Sequence, residues 1–227
     1  MPAVVLVTSV TVSPPMTAVS PSATISRVVD IPVSVDAENG WADDPDDVAE
    51  SIRLLAEAGA SGASIEDWTG DPARGFYDRN LATERVQAAV EAARALPEPF
   101  AVCARAESFL HDADAPDPLD EALARLQAFA ATGADCLFAP GPRDRATLAR
   151  LVAEAGGPVN ALIGIGSDLT MVDAAELGVR RVSVGGSLYR AALTHLSDLV
   201  TQVLTTGSFA TDGPPLTGGT IEGLLPD

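Results

Sequence analysis

From residue 30 onward, short apolar runs of β-type residues alternate with longer stretches in which apolar positions recur every three or four residues. The runs fall at 31–35, 63–65, 100–104, 136–139, 159–163 and 181–184. Helical periodicity follows each of them, over roughly 45–58, 83–95, 118–132, 143–154, 168–176 and 187–205. Val48, Ile52 and Leu55 show the spacing, as do Leu119, Leu123 and Leu126. Gly59, Gly133, Gly156 and Gly178 lie just past predicted helix ends, where a left-handed cap suits glycine.

Strict strand–helix alternation predicts a parallel sheet covered by helices. An apolar run at 3–8 adds a seventh strand, whereas residues 12–26, rich in Ser, Thr and Pro, read poorly as a helix. The expected fold is a (β/α)8 TIM-type barrel, incomplete at its amino end, with about seven strands. An open doubly wound sheet is the alternative. The expected organisation is one barrel domain over 1–206 and a Gly/Pro-rich tail over 207–227.

Composition narrows the chemistry. The net charge is −18, so the surface repels phosphate backbones and anionic headgroups, which argues against nucleic-acid or membrane binding. No apolar run is long enough to span a bilayer. All 14 basic residues are arginine, which excludes Schiff-base and pyridoxal-phosphate chemistry, because both need a lysine amine. Cys103 and Cys136 sit in apolar runs and read as small buried residues, consistent with a reducing cytoplasm. The apolar start lacks a basic leader segment, so no signal peptide is expected.

In a parallel barrel the chemistry gathers where strands end. Here those ends carry Asp36 and Glu38, then Glu66 and Asp67, then Arg105 and Glu107, then Asn160. Asp36, Glu38 and Glu66 are hard oxygen donors with no His or Cys beside them, a set that suits Mg²⁺ or Mn²⁺. Solvated strand-end acids are the plainer alternative. Arg105 ends an apolar strand, and its planar fork suits a carboxylate or phosphate; an ion pair with Glu66 or Glu38 is the other reading. The Gly164–Ser167 and Gly185–Ser187 segments are candidate phosphate cradles.

With these residues placed, the chain resembles the isocitrate lyase/phosphoenolpyruvate mutase family, in its phosphonomutase-like branch. The resemblance rests on Pro32-Val33-Ser34-Val35-Asp36-Ala37-Glu38-Asn39-Gly40-Trp41, on Gly62-Ala63-Ser64-Ile65-Glu66-Asp67 and on Ala104-Arg105-Ala106-Glu107. Gly133-Ala134-Asp135-Cys136-Leu137-Phe138-Ala139-Pro140-Gly141 points to the branch. The resemblance implies Asp36, Glu38 and Glu66 as the Mg²⁺ (or Mn²⁺) set, held largely through water. It implies Arg105 and Glu66 as catalytic residues, and Ser9, Arg105, Asn160 and Arg190 as substrate contacts. It also implies a homo-oligomer, tetramer or dimer.

Two departures stand out. The loop after Glu66, Trp68 to Tyr77, has none of the Cys, Lys or His residues of an isocitrate lyase loop, and reads instead as a lid hinged at Gly70 and Gly75. The family's first strand–helix unit has no counterpart. The leading expectation is a Mg²⁺-dependent lyase-type enzyme that cleaves or rearranges a C–C or C–P bond of a small 2-oxo or 2-hydroxy acid through an enolate. A catalytically impaired barrel acting as a binding or oligomer subunit, and a phosphate-sugar barrel enzyme, are the alternatives.

Overall fold

The computed structural model describes residues 22–112, 117–211 and 213–224. The chain divides into two units, one up to Gly185 and one from Gly186 onward. In the first, the strands are β1 (Ser34–Asp36), β2 (Gly62–Glu66), β3 (Ala101–Arg105), β4 (Cys136–Phe138), β5 (Val159–Leu162) and β6 (Arg181–Ser183). They pair strictly in chain order, every pair parallel. A doubly wound sheet reverses its strand order part-way along, and this one does not. Among the described residues, the sheet is therefore six consecutive strands of a (β/α)8 TIM-type barrel. The predicted strand at 3–8 lies outside the described residues.

Helices connect the strands: α1 (Pro45–Glu57), α2 (Arg79–Arg94), α3 (Ser108–His111), α4 (Pro118–Ala131), α5 (Arg145–Glu154) and α6 (Met171–Leu177). Each of the longer ones starts on a side-chain cap. Asp44, Asp78, Asp117 and Asp144 accept backbone N–H groups of α1, α2, α4 and α5, and Thr170 forms a reciprocal capping box with Asp173 on α6. These caps move two boundaries away from the periodicity. Helix α2 begins at Arg79 rather than near 83, because Asp78 captures the Asn80 N–H. Helix α6 begins at Met171 rather than 168, because the cap is Thr170. The Gly164–Ser167 turn therefore stands clear of any helix start, which removes its claim to a phosphate. The four glycines predicted to close helices all adopt positive φ, from 87° to 91°.

The two faces of the sheet differ in kind. Side chains alternate along a strand, so residues two apart share a face. Val35, Ala63, Ile65, Val102, Ala104, Leu137, Ala161 and Val182 point away from the barrel axis and are buried against the helices. Burying a side chain such as Ile65, which has no exposed surface, contributes about 1.5–3 kcal/mol. The other face presents Asp36, Ser64, Arg105, Phe138, Asn160 and Ser183, which line one cavity. The stability of this unit resides outside the sheet. The inside is left to chemistry.

The second unit holds α7 (Ser187–Thr206) and the short α8 (Gly218–Glu222). No residue of α7 is buried, and Leu188, Tyr189, Leu196 and Val200 are all exposed.

Candidate active site

The loop that follows β1 carries two of the predicted metal ligands, and its shape is unusual. Glu38 and Trp41 adopt positive φ (49° and 56°), as does Gly40 between them. Non-glycine residues rarely hold that conformation without support. The support comes from two helices. Arg85 of α2, fully buried, donates from Nη1 to the carbonyls of Ala42 (2.5 Å) and Asp43 (2.8 Å), and from Nη2 to that of Asn39. Its guanidinium lies 3.9 Å from the centre of the Tyr77 ring. Ser51 Oγ of α1 donates to the Gly40 carbonyl at 2.8 Å. At Gly40 a Cβ would come within 3.2 Å of both Val48 methyls, so glycine is needed for space as well as for φ.

Arg105, at the end of β3, is the hub of the site. Nη1 lies 2.6 Å from Asp36 Oδ1, Nη2 lies 3.0 Å from Glu66 Oε2 and 2.8 Å from Glu107 Oε1, and Nε donates to the same Glu107 oxygen at 2.9 Å. Burial disfavours its charge, yet the carboxylates of Asp36, Glu107 and Glu66 hold its pKa above the ordinary arginine value. Its guanidinium also lies 5.6 Å from the Phe138 ring centre.

One guanidinium cannot balance so many acids. Burial pushes the Glu66 carboxyl up to about 8; Arg105 opposes the shift, while Glu107, Asp36 and Glu38 add to it. Glu38 is raised as well, by burial and then by Asp36. Glu107, almost fully buried, is raised by burial against the pull of Arg105. Its backbone N–H donates to Asp67 Oδ1 at 2.9 Å, and Asp67 in turn lies 3.3 Å from Arg125. Burial lifts Asp67 to about 6, with Arg125 opposing.

The structure thus gathers Asp36, Glu66 and Arg105 into one cluster, with Glu38 close enough to be raised by Asp36 and to raise Glu66. It does not bring the three predicted metal ligands into one tight shell. Among the described residues, no three His, Cys, Asp or Glu side chains are placed to hold an ion directly. Of these acids only Asp36 lines the cavity, but hard carboxylate oxygens with no His or Cys beside them are the donor type that a water-bridged divalent cation takes. Asn160, predicted to touch substrate, is buried on β5; its Nδ2 donates to Ser183 Oγ at 2.9 Å, and its Oδ1 has no partner. Arg190 is exposed on α7 of the second unit, and Ser9 lies outside the described residues.

The loop predicted as a hinged lid is closed by its own bonds. Trp68 pairs with Phe76 in an antiparallel bridge, and Thr69 Oγ1 donates to the Gly75 carbonyl at 2.7 Å. Trp68 stacks on His111 of α3, ring centres 3.9 Å apart. Tyr77 Oη donates to Asp43 at 2.6 Å and accepts from Asn39 Nδ2 at 3.0 Å. Helix α3, Glu107 as a partner of Arg105, and Arg85 as the clamp on the β1 loop were not anticipated. The Ala-Arg-Ala-Glu order was the one available signal for Glu107, since residues two apart on a strand share a face.

Polar residues from five parallel strands, converging where those strands end, define the molecule as a barrel protein with an acid-and-arginine site at its carboxyl face. The profile of the phosphoenolpyruvate phosphomutase family matches residues 11–204, and the chain belongs to that family. It is 36% identical over 163 residues to an uncharacterized Mycobacterium tuberculosis protein, covering 71% of this chain and 57% of that one. It is 31% identical over 184 residues to the oxaloacetate decarboxylase of Paraburkholderia xenovorans, covering 76% and 57% respectively. The chain thus spans under two thirds of the length of these relatives. Among solved structures, a Burkholderia cenocepacia protein provisionally classed as a lyase/mutase superposes with a TM-score of 0.85 at 43% identity, covering 91% of this chain and 73% of that one. Phosphonopyruvate hydrolase, solved with oxalate and Mg²⁺, shares the fold with a TM-score of 0.76 at 23% identity, covering 91% and 72%.

Proposed function

We propose that the protein is a Mg²⁺-dependent lyase-type enzyme that cleaves or rearranges a C–C or C–P bond of a small 2-oxo or 2-hydroxy acid through an enolate. One observation carries this reading: several carboxylates crowd a single buried guanidinium on the rim of one cavity, and Glu66 among them is pushed up to about 8. Such crowding is costly unless a cation and an anionic ligand complete it. Similarity to enzymes that handle oxaloacetate or phosphonopyruvate supports the same class.

Asp36, Glu38 and Glu66 would hold the ion. Bound there, Mg²⁺ would polarise the oxo group and stabilise the enolate oxygen. Three carboxylates immobilise Arg105, and a substrate acid group would reach its fork by displacing one of them. The free Oδ1 of Asn160 would accept a hydrogen bond from the hydroxyl of a 2-hydroxy acid. Glu66 is poised to hold or release a proton near neutral pH. By resemblance, Ser9 and Arg190 stay in the proposal as further substrate contacts. The unburied apolar side chains of α7 support a homo-oligomer; multi-angle light scattering that found only monomer at micromolar concentration would remove that part.

Turnover of oxaloacetate, methylisocitrate, 2,3-dimethylmalate or phosphonopyruvate that requires Mg²⁺ would support the reading. Loss of Mg²⁺ binding in Glu66→Gln, with the fold intact, would support it further. Absence of both metal binding and turnover would end it. A second reading has its own observation: Arg105 is already fully engaged by Asp36, Glu66 and Glu107, as a group retired from catalysis would be. Mg²⁺ and oxo-acid binding without turnover would favour that impaired barrel.

A further inference from the structure

The cavity at the end of the strands contains a second arginine. Arg181 opens β6 and lines the same space as Asp36, Arg105 and Asn160, a volume of about 150 Å³. That is roughly five waters' worth of room, enough for a small acid. Strand register places Arg181 at the end of one ladder of partners: Glu66 with Arg105, Arg105 with Phe138, Phe138 with Asn160, and Asn160 with Arg181. Two guanidinium groups therefore face one cavity from strands that lie on either side of β4 and β5.

Their situations are opposite. Arg105 is held by Asp36, Glu66 and Glu107. Arg181 forms no ion pair with any carboxylate among the described residues; its guanidinium bonds the thiol of Cys136 and lies near that of Cys103, between this cavity and a second one toward the strand starts. The cluster around Arg105 is already over-supplied with negative charge. A divalent cation would bring that cluster near neutrality but would leave nothing over for a second acid group on the ligand. A dianion entering this space needs one more fixed positive charge, and Arg181 is the group that supplies it.

We propose that Arg181 binds the second carboxylate of the substrate and so makes the site selective for small diacids over monoacids. This rests on the reading of the site as a 2-oxo or 2-hydroxy acid pocket. An arginine paired with no carboxylate, in a cavity whose walls are mainly apolar (Leu110, Phe138, Leu162) and hold one acid, Asp36, is an anion receptor by its chemistry, and its fork matches a carboxylate bidentately. The partnerless Oδ1 of Asn160, next to Arg181 in the register, lies where the carbon chain between two carboxylates would pass.

The test is titration calorimetry in excess Mg²⁺, comparing the 2-hydroxy diacid malate with the monoacid pyruvate. Wild type, Arg181→Met and Arg181→Lys are compared, with a thermal melt for each. Arg181→Met is expected to weaken malate on the order of 10- to 100-fold, the loss expected for a charge-assisted pair, and to leave pyruvate within a factor of about two. Arg181→Lys is expected to recover part of the malate affinity. Equal loss for both ligands, or no loss for malate, overturns the proposal. If Arg181→Met does not fold, the lysine variant decides, by whether its malate-to-pyruvate ratio falls. Failure of wild type to bind either acid overturns the reading of the site together with this proposal. Pyruvate binding with an unchanged ratio overturns this proposal alone.

Discussion

The two faces of one sheet obey different rules, although they are built from neighbouring residues of the same strands. Ile65 and Glu66 are adjacent, yet one packs among aliphatic side chains and the other sits among carboxylates and a guanidinium. Packing on the outer face is local and additive in character: each methyl finds others, and the face tolerates change in proportion to volume lost. The inner face is collective. Asp36, Glu66 and Glu107 are tolerable only because Arg105 joins them, and Glu107 and Asp36 each raise the pKa of Glu66. The lesson is that a barrel can place its stability and its chemistry on opposite sides of a single backbone.

That contrast can be broken at several points. The largest effect is expected from Arg105→Met, which strands three buried or half-buried acids; a loss of about 4 kcal/mol in urea unfolding is expected, partly restored by millimolar Mg²⁺. Ile65→Ala, on the outer face, should cost about 3 kcal/mol, with no change on adding Mg²⁺. Equal Mg²⁺ responses in these two variants would dissolve the distinction between the faces.

A subtler effect concerns Asp67. Its carboxyl is raised by burial from 3.8 to about 6, so the folded state holds a proton that the unfolded chain has released. In the window between about pH 4 and 6 the folded state binds more protons, and this group's contribution to stability falls as pH rises, by roughly 2 kcal/mol in all. Asp67→Asn keeps an acceptor for the Glu107 N–H and should flatten that slope, as unfolding measured at pH 4.5 and 7 would show. The smallest effect is expected from Ser64→Ala, which removes the 3.0 Å hydrogen bond to Asp36 on the inner face. Less than about 1 kcal/mol of stability should be lost, with a measurable weakening of Mg²⁺ binding.

Much of the outer architecture was legible in the sequence because it is written in local pattern. Apolar runs gave the six described strands, and glycines after helices gave their left-handed ends. The clustered polar residues of the inner face were legible for the same reason: Asp36, Glu66 and Arg105 each end an apolar run. What could not be read was partnership. Arg85 sits on a helix among Glu84 and Gln87, and by sequence looks like one more solvated arginine; its burial depends on carbonyls more than forty residues away. Arg181 looked like the first residue of a strand, and only the register set it beside Asn160 in the cavity that Arg105 also lines. Helix α3 was missed because a single turn has no period to detect.

Arg85 grips the loop after β1 by the carbonyl oxygens of Asn39, Ala42 and Asp43. Such a clamp is indifferent to the side chain at Glu38, whereas Asn39 and Asp43 also hold the loop through Tyr77. The trace of the segment is thus decoupled from the acid at Glu38, so that substitution there can change the charge at the barrel mouth without redrawing the backbone that presents it. A lineage endowed with this arrangement can drift between chemistries by exchanging letters on a scaffold that stays put.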